Sequence, residues 1–288
     1  MSRIYDALKK LEAERLGRGG KSGNGGGNGH GNGGGNGGNG HGNGGNGGNG
    51  KKRLWRRILW GNGHGRHIDV ALKLDLAPEA EEAYHRLGTN LLLPGTADAG
   101  PLPRLLGVTA SRHGEGTTTT AALFASIMVR RRGGRVAVVE ANFRSPNFDA
   151  VFGIKRDGGF SEVILGQKQL ADVAQPTEVA NLFAIGCGHS TLGAPALFDS
   201  PGMRGALEQL RTQFEFVVFD LPPANVYGDT SILGPRLDAA LIVIEADRTR
   251  VPEVERTRRS LERVGVKLVG SVLNRRRDYI PAFIEEML

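Results

Sequence analysis

Residues Gly114-Glu115-Gly116-Thr117-Thr118 read as a phosphate-binding loop, with threonine where the loop needs lysine. In the pattern G-x-x-x-x-G-K-[ST], backbone N–H groups wrap phosphate oxygens, the lysine neutralises them, and the following hydroxyl reaches a magnesium ion. The hydroxyl survives here as Thr118, followed by Thr119, whereas Thr117 occupies the lysine position. Two further positions offer oxygen ligands. The segment RVAVVEANFRSPNFDAVFG places Glu140 and Asn142 after an apolar run, and FEFVVFDLPP ends its run at Asp220. A carboxylate at the end of an apolar strand can hold Mg²⁺ through water, so Thr118 and Asp220 are the expected metal pair.

These residues need elements to position them. Apolar runs at Leu105–Thr109, Val136–Val139, Leu182–Ile185, Phe216–Phe219, Ala240–Ile244 and Leu268–Leu273 read as strands. Amphipathic stretches at roughly Thr118–Arg131, Pro201–Gln213 and Pro252–Val264 read as the helices between them. Continuous rather than alternating apolar strands, separated by helices, predict a mainly parallel α/β sheet covered on both faces. The loop then lies between a strand and a helix opening at Thr117, and the amides of Gly114, Gly116, Thr117 and Thr118 converge on one anion at the helix N-terminus.

The remainder divides into three parts: an amphipathic N-terminal helix over 1–17, a tether over 18–67, and a domain over 68–288. Residues 19–50 hold 20 of the chain's 45 glycines, interleaved with Asn, and carry nothing apolar to bury. Such a stretch does not offset its own chain entropy and reads as a flexible spacer, despite His30 and His41. Residues 51–60, KKRLWRRILW, set Leu54, Trp55, Ile58 and Leu59 against Lys52, Arg53, Arg56 and Arg57 on a helix. That pattern suits an anionic membrane surface; it equally suits a basic linker end covering a domain edge. Nucleic acid ranks below both, because no recognised nucleic-acid fold follows. A net charge of +7 favours an acidic partner. Cys187 is the only cysteine, which excludes an internal disulfide and fits a reducing compartment.

The motifs together resemble the bacterial tyrosine autokinase family of capsule and exopolysaccharide synthesis, within the deviant P-loop ATPases that include the MinD/ParA proteins. The family pattern GEGKTTT appears as GEGTTTT over 114–120, and the second aspartate motif, D-x-D-x-R-x-P, appears within VVEANFRSP over 138–146. D-x-P-P followed by Asp appears as DLPPANVYGD, which aligns Asp220 and Asp229, and VLNR over 272–275 aligns Asn274 with an adenine contact. The resemblance spans residues 79–281. It implies a P-loop NTPase fold, ATP or ADP with Mg²⁺ as cofactor, self-association, and a cytoplasmic location at the inner membrane beside a polysaccharide co-polymerase or export protein.

The departures bear on activity. Glu140 and Asn142 stand where the family has aspartates, the E-x-x-R-x-x-R motif reads Glu82-Ala83-Tyr84-His85-Arg86-Leu87-Gly88, and Tyr279 alone represents the C-terminal tyrosine cluster. The catalytic set is therefore a degenerate Glu140, Asn142 and Asp220. The cofactor-binding set is Arg112, Gly114, Glu115, Gly116, Thr117, Thr118, Thr119 and Asn274. The reading that follows is a regulatory protein that binds nucleotide weakly or not at all. Two alternatives stand beside it: an active ATPase or kinase in which Arg112 replaces the lysine, and a positioning ATPase of the MinD/ParA type.

Overall fold

A computed structural model of the protein describes residues 78–92 and 103–276. The expected N-terminal helix, the Gly/Asn-rich tether with its basic Trp segment, and Tyr279 lie outside the described residues. In chain order the elements are α1 (Pro78–Leu92), β1 (Leu105–Ala110), α2 (Thr117–Arg132), β2 (Val136–Glu140), α3 (Phe148–Phe152), α4 (Phe160–Ile164), α5 (Leu170–Val173), β3 (Gln175–Pro176) and β4 (Leu182–Ile185). They continue with α6 (Ala194–Phe198), α7 (Gly202–Gln213), β5 (Phe216–Asp220), α8 (Asp229–Leu233), a 3₁₀ turn at Gly234–Arg236, β6 (Ala239–Glu245), α9 (Val251–Arg263) and β7 (Leu268–Asn274).

The strands form one sheet in the order β3-β4-β2-β5-β1-β6-β7. Every pairing is parallel except the short β3–β4 edge. Burial explains why these segments pair. All residues of β1, β2 and β5 are buried, so successive side chains must fill a core above and a core below the sheet. Leu105, Val139, Val217 and Phe219 face a cluster with Met203, Ala206, Leu207 and Leu210 of α7. Leu106, Val108, Val138 and Val218 face the opposite cluster with Ala121, Phe124, Ala125 and Met128 of α2. Residues Ala240, Ile242 and Ile244 of β6 pack on Val254 and Leu261 of α9. The expected α/β sheet with helices on both faces is present, and six of its strands fall where apolar runs predict them.

Sequence periodicity did not show α1, the short helices between β2 and α7, or β3. Helix α1 packs on α2, with Tyr84 and Leu87 against the α2 core, while Arg130 pairs with Glu81 at 2.6 Å. Residues 82–88, aligned above with the family's self-association motif, therefore lie on a helix held against the domain. Among the described residues no helix is long and apolar enough to cross a membrane.

Candidate functional site

The carboxyl ends of β1, β2 and β5 meet at one edge of the sheet. Register sets this: Val108 of β1 lies beside Asp220, and Glu140 of β2 lies beside the same residue from the other side. Past the strand ends the chains stay bonded, with Ala141 N–H donating to the Asp220 carbonyl at 3.0 Å and Ala224 N–H to the Ala110 carbonyl at 2.9 Å. The Pro222 carbonyl accepts the hydroxyls of Thr109 at 2.8 Å and Thr230 at 2.7 Å, which fixes the segment that follows Asp220.

The phosphate loop turns at two glycines with left-handed backbone, Gly114 at φ 82 and Gly116 at φ 94. A Cβ on Gly116 would stand 2.1 Å from the Asn274 amide nitrogen, so both conformation and space require glycine there. Helix α2 begins at Thr117, with Thr120 N–H donating to the Gly116 carbonyl at 2.9 Å. Among the described residues the amides of Gly114, Gly116, Thr117 and Thr118 take no acceptor. Free amides at a helix N-terminus, in alternating backbone conformations, form an anion nest.

Glu115 of the loop turns its side chain inward. Its side chain is buried, and Oε2 accepts N–H groups from Ser111 at 2.7 Å and Arg112 at 3.0 Å, while Oε1 accepts the Thr249 hydroxyl. The Glu115 carbonyl in turn accepts from Asn274 Nδ2 at 2.8 Å. The Asn274 amide aligned with an adenine contact thus reaches the loop itself, and Glu115 clasps the loop from inside. Thr119 is exposed, and Thr117 is half-buried at the lysine position.

Thr118 Oγ1 donates to Asp220 Oδ2 at 2.7 Å, which brings the expected metal pair together. The other carboxylate oxygen, Asp220 Oδ1, is buried without a partner, as is Asn142 Oδ1 two residues beyond β2. Orphaned buried acceptors are rare in native proteins and mark a missing donor or cation. Burial, together with the neighbouring Glu140 charge, raises the Asp220 pKa to about 7 against the pull of Thr118. A hydrated Mg²⁺ fits the Thr118–Asp220 pair, a hydroxyl and a carboxylate that both offer oxygen.

The Glu140 carboxylate is held by backbone amides. Its Oε1 accepts the N–H groups of Asn147 and, at 2.8 Å, Phe148, and its Oε2 accepts Cys187 N–H at 3.0 Å. These bonds occupy most of a carboxylate's acceptor positions. Glu140 organises the start of α3 and the loop after β4. Cys187 lies against it, and burial followed by the Glu140 charge pushes the thiol up to about 12, which keeps it protonated and unreactive.

Arg112 is exposed and faces Glu253 of α9 at 3.6 Å. Arg144, within the aligned β2 motif, was given no role by sequence reasoning. Its Nε and Nη2 donate to Asp229 Oδ2 and Oδ1 at 2.9 and 3.1 Å. Asp229 is buried, and the guanidinium lies 5.0 Å from the centre of the Tyr227 ring, which packs edge-to-face with His113 of the loop at 5.4 Å between ring centres. The paired motif positions of Arg144 and Asp229, 85 residues apart, were the available signal.

No protein-family model matches the chain. Similar proteins are found by sequence and by structure. Tyrosine-protein kinase CpsD of Streptococcus pneumoniae serotype 4 is 27% identical over 204 residues, covering 70% of this chain and 87% of that protein. Tyrosine-protein kinase YwqD of Bacillus subtilis is 24% identical over 193 residues, covering 67% and 80%. The kinase domain of Escherichia coli tyrosine kinase ETK superposes with a TM-score of 0.66 at 22% identity, covering 76% of this chain and 86% of that one. The homologues are bacterial tyrosine-protein kinases, in agreement with the motif resemblance, and the fold is that of P-loop NTPases.

Proposed function

We propose that this chain is a kinase-derived nucleotide-binding protein whose phosphoryl-transfer centre is degenerate. In this reading it serves in the cytoplasm as a regulatory partner of a membrane polysaccharide co-polymerase or export protein. One observation carries the proposal: the phosphate loop keeps its nest and its Thr118–Asp220 pair, while Thr117 and Asn142 have removed a positive and a negative charge from the same site. Binding and turnover place different demands on these parts. Free amides and the Thr118–Asp220 pair suffice to orient phosphates and to hold Mg²⁺, and a bound Mg²⁺ supplies charge neutralisation at the phosphate oxygens. Turnover also needs charge at the transferring group, and losing one such group costs on the order of 3–4 kcal/mol, or about 10²–10³ in rate. Glu140 offers no remedy, because backbone amides already occupy its carboxylate.

The cofactor is ATP or ADP with Mg²⁺. Cobyrinic acid a,c-diamide synthase from Mycobacterium smegmatis, which shares the fold at a TM-score of 0.51 and 20% identity over 59% of this chain and 73% of that one, was solved with bound ADP and magnesium. The capsule or exopolysaccharide context, the membrane partner and self-association rest on the motif resemblance, and membrane contact through residues 51–60 rests on their basic, Trp-containing pattern. Calorimetric titration of the full chain with ATP and ADP, with and without Mg²⁺, beside an ATPase assay, tests the reading. Mg²⁺-dependent binding without turnover is expected. Turnover at rates ordinary for an intact kinase of this type would overturn it.

A further inference from the structure

Resting on the nucleotide reading, we propose that Arg144 replaces the missing loop lysine as the cation that faces the terminal phosphate, held in place by Asp229 and Tyr227. The position follows from the chain. Strands β2 and β5 are neighbours that end together at Glu140 and Asp220, and Ala141 is bonded to the Asp220 carbonyl. A turn then folds the chain back, with Ser145 N–H donating to the Asn142 carbonyl at 3.3 Å, and Arg144 lies within this turn. Tyr227 supplies the other constraint, since its ring lies under the guanidinium and touches His113, the residue before Gly114. Tyr227 thereby links the guanidinium to the residue that precedes Gly114.

The hydrogen bonding leaves the right group available. Asp229 is buried and takes Nε and Nη2, whereas Nη1 has no partner among the described residues. The side chain is 40% exposed, and its other side borders an open cleft of about 480 Å³ formed with Phe143, Pro146 and the loop over 187–194. A planar guanidinium held by one edge presents its remaining donors in a fixed direction, the geometry that suits a phosphate oxygen. Arg112 is placed differently, because Glu253 draws it towards α9. A purely structural Asp229–Arg144 pair would show equal sensitivity to every ligand; a phosphate contact distinguishes ATP from ADP.

The test is calorimetric titration of the full chain and its variants with Mg-ATP and Mg-ADP. Arg144→Gln is expected to weaken Mg-ATP by roughly 10–100-fold, the equivalent of one charge-assisted hydrogen bond, and Mg-ADP by less than about 3-fold. Arg144→Lys should recover most of the ATP affinity. Arg259→Gln, as a control for net charge, should stay within about 2-fold by the same scale. Where Gln lowers the thermal midpoint, Arg144→Met, which keeps the alkyl stem over Tyr227, is read in its place against the same limits. Unchanged ATP affinity in these Arg144 variants, equal losses for both nucleotides, or an equal loss in Arg259→Gln would each overturn the assignment while leaving nucleotide binding intact. An unmodified chain that binds neither nucleotide would overturn both.

Discussion

Replacing Asp220 by Asn should make the protein more stable, and by an amount that grows with pH. Asp220 is wholly buried, keeps one oxygen without a donor, and has its pKa raised from 3.8 to about 7. Burial is the main cause and the nearby Glu140 charge adds to it. Between those two values the folded chain holds a proton that the unfolded chain has released, so unfolding is favoured as pH rises. The loss begins near the unfolded pKa, accumulates up to the folded one, and is constant above it. A displacement of about three pH units corresponds to on the order of 4 kcal/mol at pH 8. Asn keeps an acceptor for the Thr118 hydroxyl and carries no charge to bury. Thermal or urea unfolding of both forms at several pH values from 4 to 8, without divalent ions, measures the difference. The variant's advantage should widen up to about pH 7 and then level off, reaching roughly 10 °C in midpoint for a domain of this size. Millimolar Mg²⁺ should narrow it by stabilising only the unmodified chain. A difference that does not change with pH would refute the account of Asp220 as a buried carboxylate with a raised pKa.

Other substitutions separate shape from charge in the site. Glu140→Gln should lower stability by about 2–4 kcal/mol, since a carboxylate that accepts three backbone amides becomes an amide with one acceptor oxygen lost, and urea unfolding measures it. Thr117→Lys should tighten Mg-ATP binding by one charge-assisted hydrogen bond, about 1.5–3 kcal/mol, with turnover still low. Only its combination with Asn142→Asp, with or without Glu140→Asp, should raise hydrolysis in a coupled ATPase assay; substantial hydrolysis by Thr117→Lys alone would show that Asn142 is no impediment.

How far the sequence discloses this site depends on the range of the interactions. Strands β1, β2, β5 and β6 are legible because burial on both faces demands unbroken apolar runs, and the loop between β1 and α2 is legible from its glycines. Thr118 and Asp220 can be paired in advance, because strand ends in a parallel sheet converge on one edge. Short helices such as α3 and α5 carry too few turns to display a period, and they are held by tertiary contacts including the Glu140 carboxylate. Likewise, Glu115 looks like a loop residue facing a ligand until Thr249 and Asn274, far along the chain, are seen to close around it. Arg144 has meaning only beside Asp229, and nothing in local composition links them.

The Glu115 clasp has an evolutionary consequence. Because the loop is held by its own carboxylate, by Thr249 and by Asn274, its conformation is specified independently of the residue at 117. Lysine and threonine codons can differ by a single nucleotide, so a lineage carrying such a loop can shed or regain the charge in one step without passing through an unfolded intermediate. Catalysis and architecture are then inherited as separable traits.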